Sequence, residues 1–362
     1  MKYLFVIPTL SNGGAERVVS VLSTALSECK RDVIIVKYYE EQAEYLLGEK
    51  VKVYNLSGAD RESYLLLGKI ELIKRLRNII KQEKPDFVIP FMYSVAQLTA
   101  ISTWGLSVNV VQSMRINPAV APVSRIKRVL RDGLVYRSKI TFVQNKEQKN
   151  YFKKKYHNKI HVLFNPVSSS FFNTEWCCET GRFIFCSMGR LVSQKNYYLA
   201  INAFCKAFPN MNDIEYHIYG EGALKNELDA YISSINMQHR IKLKGRTNNV
   251  TGALSHSNCF ILSSNDEGMP NALIEAMACG IPCISTDCPT GPSDLLTSGH
   301  NGILTSVGDV DEMSVAMKHV YYMKECDRRE MANNGRKTVK EVCSEKAIAQ
   351  KMISICEKGD QL

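Results

Sequence analysis

At 362 residues, with 45% hydrophobic and 23% charged content, the chain exceeds one ordinary core and suits two globular domains, which excludes disordered and collagen-like classes. No apolar run approaches the roughly 20 residues that cross a bilayer. The net charge of +10 is lopsided, because residues 1–165 hold 27 Lys and Arg against 14 Asp and Glu, and the remainder 19 against 22. Short β-branched runs alternate with longer helical patterns, as parallel βαβ units require. Strands are expected over 3–7, 32–37, 87–90, 108–112 and 140–144, and helices over 15–29, 67–83 and 123–136. The first run stops at Pro8 and lacks a small-residue cleavage site, so it reads as a buried strand rather than a signal peptide.

A Pro- and Ser-containing linker is expected at 164–170. Beyond it, strands over 183–188, 216–219, 241–244, 259–262 and 282–286 are each followed by a helical pattern, and an amphipathic helix is expected over 341–357. The architecture is α/β, with doubly wound parallel-sheet domains over 1–166 and 167–340 and a terminal helix, about 341–362, packing back on the first. Two such domains imply a ligand cleft between them, at the carboxyl ends of the strands.

The twelve cysteines form no C-x-x-C pair. Cys177 and Cys178 are adjacent, and Cys279, Cys283 and Cys288 fit no zinc spacing, so they read as reduced thiols of a cytosolic protein. The basic excess concentrates in 69–84, 125–139 and 146–159. It suggests that the first domain faces an anionic surface such as lipid headgroups, although a solvated basic face gives the same count. No aromatic-interleaved basic motif points to nucleic acid.

Three segments carry chemistry. Ser11-Asn12-Gly13-Gly14-Ala15-Glu16-Arg17 follows the first strand and opens the first helix. Its glycines permit a tight turn with amides presented at a helix start, where an anion is favoured, and a plain turn would read the same. Gly189-Arg190-Leu191-Val192-Ser193-Gln194-Lys195-Asn196 places two cations five residues apart on a loop feeding a helix. Arg offers a planar fork and Lys a mobile point charge, together suited to a diphosphate; two unrelated surface cations would look alike. Glu267-Gly268-Met269-Pro270-Asn271-Ala272-Leu273-Ile274-Glu275 sets one carboxylate on a loop and one on the following helix. Eight residues apart, they are no adjacent acid/base pair but can grip two parts of an extended ligand bearing hydroxyls and phosphates.

These segments, with Tyr219-Gly220-Glu221-Gly222, Leu243-Lys244-Gly245-Arg246-Thr247 and Asn301-Gly302-Ile303-Leu304, resemble the retaining glycosyltransferases of family 4. Cys288-Pro289-Thr290-Gly291-Pro292-Ser293-Asp294 is similar to members that build bacterial surface polysaccharides such as capsule and O-antigen. The matches run over nearly the whole chain in family order. The resemblance implies a GT-B fold of two Rossmann-like domains facing across a cleft, the first on the acceptor side and the second binding the donor. It implies transfer from a nucleotide-diphosphate sugar, UDP-hexose or UDP-N-acetylhexosamine, to a polyprenyl-diphosphate-linked oligosaccharide. By the same resemblance Arg190 and Lys195 hold the diphosphate, Glu275 the ribose, and Glu267 the donor sugar. Gly189 and the backbone of Gly268, Met269, Pro270 and Asn271 complete the cradle, Arg246 falls near the base, and Gly13 and Gly14 close over the phosphates.

Many members carry a His in the first domain where this chain reads Gln112-Ser113-Met114-Arg115-Ile116-Asn117-Pro118, and Arg115 is the expected substitute. Asp309-Val310-Asp311 spells the DxD of metal-dependent transferases of another fold, but it precedes a helical run and reads as a cap. No metal or cofactor is expected, the nucleotide-sugar being a substrate. The basic first domain fits a cytoplasmic enzyme peripheral at the inner face of the plasma membrane. Two alternatives stay open: a UDP-sugar 2-epimerase of similar fold, for which no proton-abstracting set is visible, and a non-catalytic nucleotide-binding assembly protein, which the intact Arg190, Lys195 and Glu267 oppose.

Overall fold

In the computed structural model the opening apolar run is strand β1 (Lys2–Ile7), with Tyr3 to Ile7 wholly buried. The structure describes residues 1–358 except 12, 42–43, 59–61, 63–67, 116, 120 and 177–180, so Asn12, Leu67, Ile116, Cys177 and Cys178 lie outside it. Burial on both faces is what a parallel strand covered by helices requires. β1 pairs in parallel with β2 (Asp32–Lys37) and β4 (Phe87–Pro90). With β3 (Lys52–Asn55), β5 (Asn109–Ser113), β6 (Ile140–Val143) and β7 (Ile160–Val162), the sheet runs β3-β2-β1-β4-β5-β6-β7.

Alternate residues of β1 feed opposite layers, as the strand's period of two dictates. Tyr3, Phe5 and Ile7 pack with Val18, Val19, Leu22 and Leu26 of α1 (Gly14–Glu28). Leu4 and Val6 pack with Leu72, Leu76 and Ile80 of α2 (Lys69–Glu83) and Val95 of α3 (Tyr93–Ser102). Helices α4 (Arg125–Arg137) and α5 (Lys146–Tyr151) complete the run of this sheet.

A second sheet, β10-β9-β8-β11-β12-β13, is built from β8 (Phe183–Met188), β9 (Ile214–Tyr219), β10 (Ile241–Gly245), β11 (Cys259–Leu262), β12 (Cys283–Thr286) and β13 (Ile303–Thr305). Its pairings are parallel too. Its helices are α6 (Ser169–Phe172), α7 (Tyr197–Ala207), α8 (Lys225–Ser234), α9 (Val250–Ser255), α10 (Asn271–Ala278), α11 (Pro292–Leu295), α12 (Val310–Tyr322) and α13 (Glu325–Cys343). Phe185, Phe204, Phe208 and Tyr216 centre one layer against α7 and α12, and α10 packs on α13. Asp309 is the N-cap of α12, its Oδ1 accepting the amides of Asp311 and Glu312 at 2.9 Å each.

The chain divides into two units, Met1–Pro166 with Glu345–Leu362, and Val167–Ser344. The terminal helix α14 (Glu345–Lys358) therefore belongs to the first unit, where Ile348, Ala349 and Met352 enter the core beside α1. It begins after an extended Ser344, so residues 341–343 are the end of α13 and not, as the sequence suggested, its first turn. Glu357 accepts from Tyr3 Oη at 2.9 Å and from Arg31 Nε at 2.6 Å, fastening the helix end. The chain enters and leaves the second unit side by side, since Val167 donates to the Cys343 carbonyl at 2.8 Å and bridges in parallel with Ser344.

Candidate functional site

In the second sheet β8 and β11 are neighbours, and the strand order reverses between them. Loops leaving the carboxyl ends of two such strands diverge and open a crevice, the usual ligand position in an open α/β sheet. The loop after β8 carries Arg190 and Lys195, and the loop after β11 carries Glu267. They meet there: Lys195 Nζ lies 2.5 Å from Glu267 Oε1, which also accepts from Ser264 Oγ at 2.6 Å. Both bonds fall on one carboxylate oxygen, and Oε2 has no donor among the described residues. The Lys195 and Glu267 side chains retain 16% and 7% of their surface, so the pair is shielded from water but reachable.

Several backbone and side-chain bonds hold this pair. Asn265 N donates to the Gln194 carbonyl at 2.8 Å, Gln194 Nε2 to the Asp266 carbonyl at 2.9 Å, and Ser263 Oγ to the Lys195 carbonyl at 2.8 Å. Thr290 Oγ1 donates to the Glu267 carbonyl. Burial pushes the Asp266 carboxyl up, the Glu267 charge adds to this, and Lys195 opposes it. Tyr197 opens α7 beside the pair, buried, with a hydroxyl that has no hydrogen-bond partner among the described residues. Its pKa is raised, first by burial and then by the charge of Glu267. The sequence reading passed over Tyr197, Ser264 and Thr290, which have no spacing signature; Thr290 stood in a quoted segment without a role.

Gly189 directly follows β8, and a Cβ there would sit 3.1 Å from Tyr197 Oη and 3.3 Å from Lys195 Cε. Arg190 follows, exposed, its side chain without a hydrogen bond or ion pair among the described residues. Arg246 stands exposed one residue past β10. Gly268, Met269 and Pro270 form the turn before α10, Asn271 is that helix's first residue, and Glu275 is buried one turn further in. Two glycines elsewhere make these loops fit. A Cβ on Gly220, at φ +145°, would sit 1.9 Å from the Gly189 carbonyl oxygen, and one on Gly291, at φ +109°, 2.8 Å from Pro270 Cδ. Directly before Gly291, Thr290, a β-branched residue, is held at φ +78°, where such side chains are strained.

In the first unit the order reverses between β1 and β4. Gly13 is the N-cap of α1 and Gly14 its first residue. The sequence suggested open amides there, but Glu16 folds back so that a Cβ on Gly13 would sit 1.8 Å from its Oε2. Burial raises the Glu16 carboxyl, against the bond from its own backbone amide, and Glu41 adds to the rise. An anion at this helix start competes with the chain's own carboxylate. Arg115, past β5, donates to Ser113 Oγ and to Asn165 Oδ1 at 2.8 Å each, with its guanidinium 4.7 Å from the Phe91 ring centroid. Asn165 also accepts from Gln144 Nε2 at 2.9 Å. Burial lowers the Arg115 pKa, while neutral hydrogen bonds and the ring face hold the group in place.

Residues 176–338 match the family model described as Glycosyl transferases group 1. The chain is 28% identical over 349 residues, 94% of each chain, to the GalNAc-alpha-(1->4)-GalNAc-alpha-(1->3)-diNAcBac-PP-undecaprenol alpha-1,4-N-acetyl-D-galactosaminyltransferase of Campylobacter jejuni. It is 41% identical over 114 residues to the uncharacterized glycosyltransferase MJ1059 of Methanocaldococcus jannaschii, a match spanning 32% of this chain and 28% of that one. Among solved structures, HepE of Anabaena in complex with UDP and glucose superposes with a TM-score of 0.81 at 16% identity, covering 99% of this chain and 100% of that chain. The two all-parallel Rossmann-like domains have the GT-B fold, and the family match with the named relatives supports a glycosyltransferase.

Proposed function

We propose that the chain is a retaining glycosyltransferase of family 4 that transfers a hexose or N-acetylhexosamine from its UDP derivative to a polyprenyl-diphosphate-linked oligosaccharide during surface-polysaccharide synthesis. One observation carries this reading: Lys195 and Glu267, far apart in sequence, pair at the strand-order reversal of the second sheet, with Arg190 on the same loop unpaired among the described residues. This lies within the span matching the group 1 family. The relative named for an undecaprenol-linked acceptor and the neighbour solved with UDP and glucose support the acceptor and donor classes.

In this reading the donor diphosphate lies against Arg190 and Lys195, and Oε2 of Glu267 accepts a sugar hydroxyl. Glu275 takes the ribose, Arg246 borders the base, and the turn Gly268 to Asn271 with Gly189 lines the cradle. As the sugar–phosphate bond breaks, positive charge develops at the anomeric carbon and negative charge on the departing diphosphate. Fixed cations aimed at the second charge lower the barrier, and they supply in side chains what a metal would otherwise supply. The enzyme therefore needs no divalent ion, and chelation leaves turnover unchanged. Gly13, Gly14 and Arg115 of the first unit serve in this reading as further donor-side residues, with Arg115 standing in for the family His; a phosphate at the α1 start must first displace the Glu16 carboxylate. No helix among the described residues is long and apolar enough to cross a membrane. In this reading the basic first unit lies against anionic headgroups and the lipid-linked acceptor is met at the cytoplasmic face.

The test is Lys195→Ala with a panel of UDP-sugars. Turnover falls about 10²–10³-fold, the range seen when one such donor is lost, with the circular dichroism spectrum unchanged. Wild-type turnover in that variant sinks the assignment.

A further inference from the structure

Helix α4 turns its apolar side outward. Val123, Ile126, Val129 and Leu130 are 88%, 75%, 71% and 53% exposed. At about 3.6 residues per turn, Ile126, Val129, Leu130 and Gly133 share one stripe, which Val123 extends past the helix start. Arg125 and Lys127 flank the stripe on its two sides and Arg137 closes it, all three exposed. The inward side carries Arg131 and Val135, both buried. Arg131 donates to the Pro118 carbonyl at 2.8 Å and to that of Ala121, so the segment presenting Val123 is tied to the helix.

The neighbouring helix also ends on exposed apolar residues. α3 packs between α2 and α4, and at its end Ile101 and Trp104 are 57% and 75% exposed. Arg77 of α2 donates to the Trp104 carbonyl at 2.7 Å and fixes that corner. Single exposed aliphatics are ordinary on soluble proteins. Three on one helical stripe, extended by Val123, rimmed by cations and joined by an exposed tryptophan on the neighbouring helix's end, are the pattern of an interfacial amphipathic segment.

We propose that this face, the stripe of α4 with Ile101 and Trp104, seats in the headgroup layer of an anionic lipid bilayer. Charge selects that occupant. Residues 1–165 carry 27 Lys and Arg against 14 Asp and Glu, so the unit is drawn to negative headgroups. A second copy docking stripe to stripe would bring Arg125, Lys127 and Arg137 against their own like charges. The inference rests on the peripheral reading above and assigns it a surface.

The test is co-sedimentation of the full chain with vesicles of phosphatidylcholine, alone or mixed with phosphatidylglycerol. The wild type partitions onto the mixed vesicles. Arg125→Gln with Lys127→Gln weakens that binding about 30-fold, near fivefold per cation, and Ile126→Ser with Val129→Ser weakens it at least about tenfold. In a Trp176→Phe background the remaining Trp104 emission shifts to the blue on vesicle binding. Wild type that ignores mixed vesicles overturns both this surface and the peripheral reading. Binding that both double variants retain overturns the surface alone, as does self-association without lipid that the Ser variant abolishes. Thermal stabilisation by UDP is followed in parallel; its absence in the wild type counts against the donor reading and leaves the vesicle result standing.

Discussion

Glu267 places both of its side-chain bonds on one carboxylate oxygen, Oε1 taking Lys195 and Ser264, and among the described residues Oε2 has no donor; in the proposed function it accepts a sugar hydroxyl. A lysine so placed is oriented before any ligand arrives, at the expense of part of its charge. Near it, Tyr197 keeps a buried hydroxyl without a partner among the described residues, which forfeits the solvation of a polar group. Tyr197→Phe removes that group, so thermal unfolding should show equal or higher stability, by up to about 1–3 kcal/mol. A lower melting temperature would mean that the hydroxyl is bonded. Gly220 allows no such latitude. Gly220→Ala drives a methyl into the Gly189 carbonyl and should cost upwards of about 1–3 kcal/mol, abolishing stabilisation by UDP; an unchanged melt with UDP would refute the close approach. Charge after a strand left Arg190 and Lys195 ambiguous in the sequence, and the family resemblance made them candidates together with Glu267 and Glu275. The sequence concealed the Lys195–Glu267 bond itself, which depends on β8 and β11 lying side by side.

Among the elements, the end of α2 is held by Glu83, whose carboxylate accepts from Lys52 Nζ at 2.6 Å and from the Tyr54 hydroxyl, while Lys2 Nζ donates to its carbonyl at 2.8 Å. The bonds from Lys52 and then Tyr54 pull its pKa down to about 2. The unfolded value is about 4.3, so the folded state gains from this group fully above that pH and loses the gain as pH falls toward 2. Urea midpoints taken from neutral pH down to pH ~3 should decline less steeply in Glu83→Gln than in wild type; parallel curves would refute the linkage. This clamp closes around β3, which the sequence reading missed together with β7 and β13. All three are edge strands, short and covered by a neighbour on one side only, so none shows the continuous apolar run that exposed β1 or β8 to recognition. The terminal helix was legible as an amphipathic pattern, but its start was not, because the turn at Ser344 carries neither Gly nor Pro.

For the whole molecule, the placement of α14 in the first unit makes stability non-local. Deleting residues 345–362 removes Ile348, Ala349 and Met352 from the core beside α1 and frees Tyr3 and Arg31 from Glu357. Calorimetry should then show the first unit's transition lost or lowered by many degrees and the second unit's retained, still raised by UDP. Loss of both transitions, or of neither, would contradict that partition. The same threading governs the order of assembly during synthesis. The first unit leaves the ribosome early but lacks the residues that close its core until all of Val167–Ser344 has been made. At about 5–20 residues per second that delay is on the order of 10–40 s, during which the apolar groove on α1 stands open. The unit made first is finished last, and a chaperone able to cover that groove has an obvious interval in which to act.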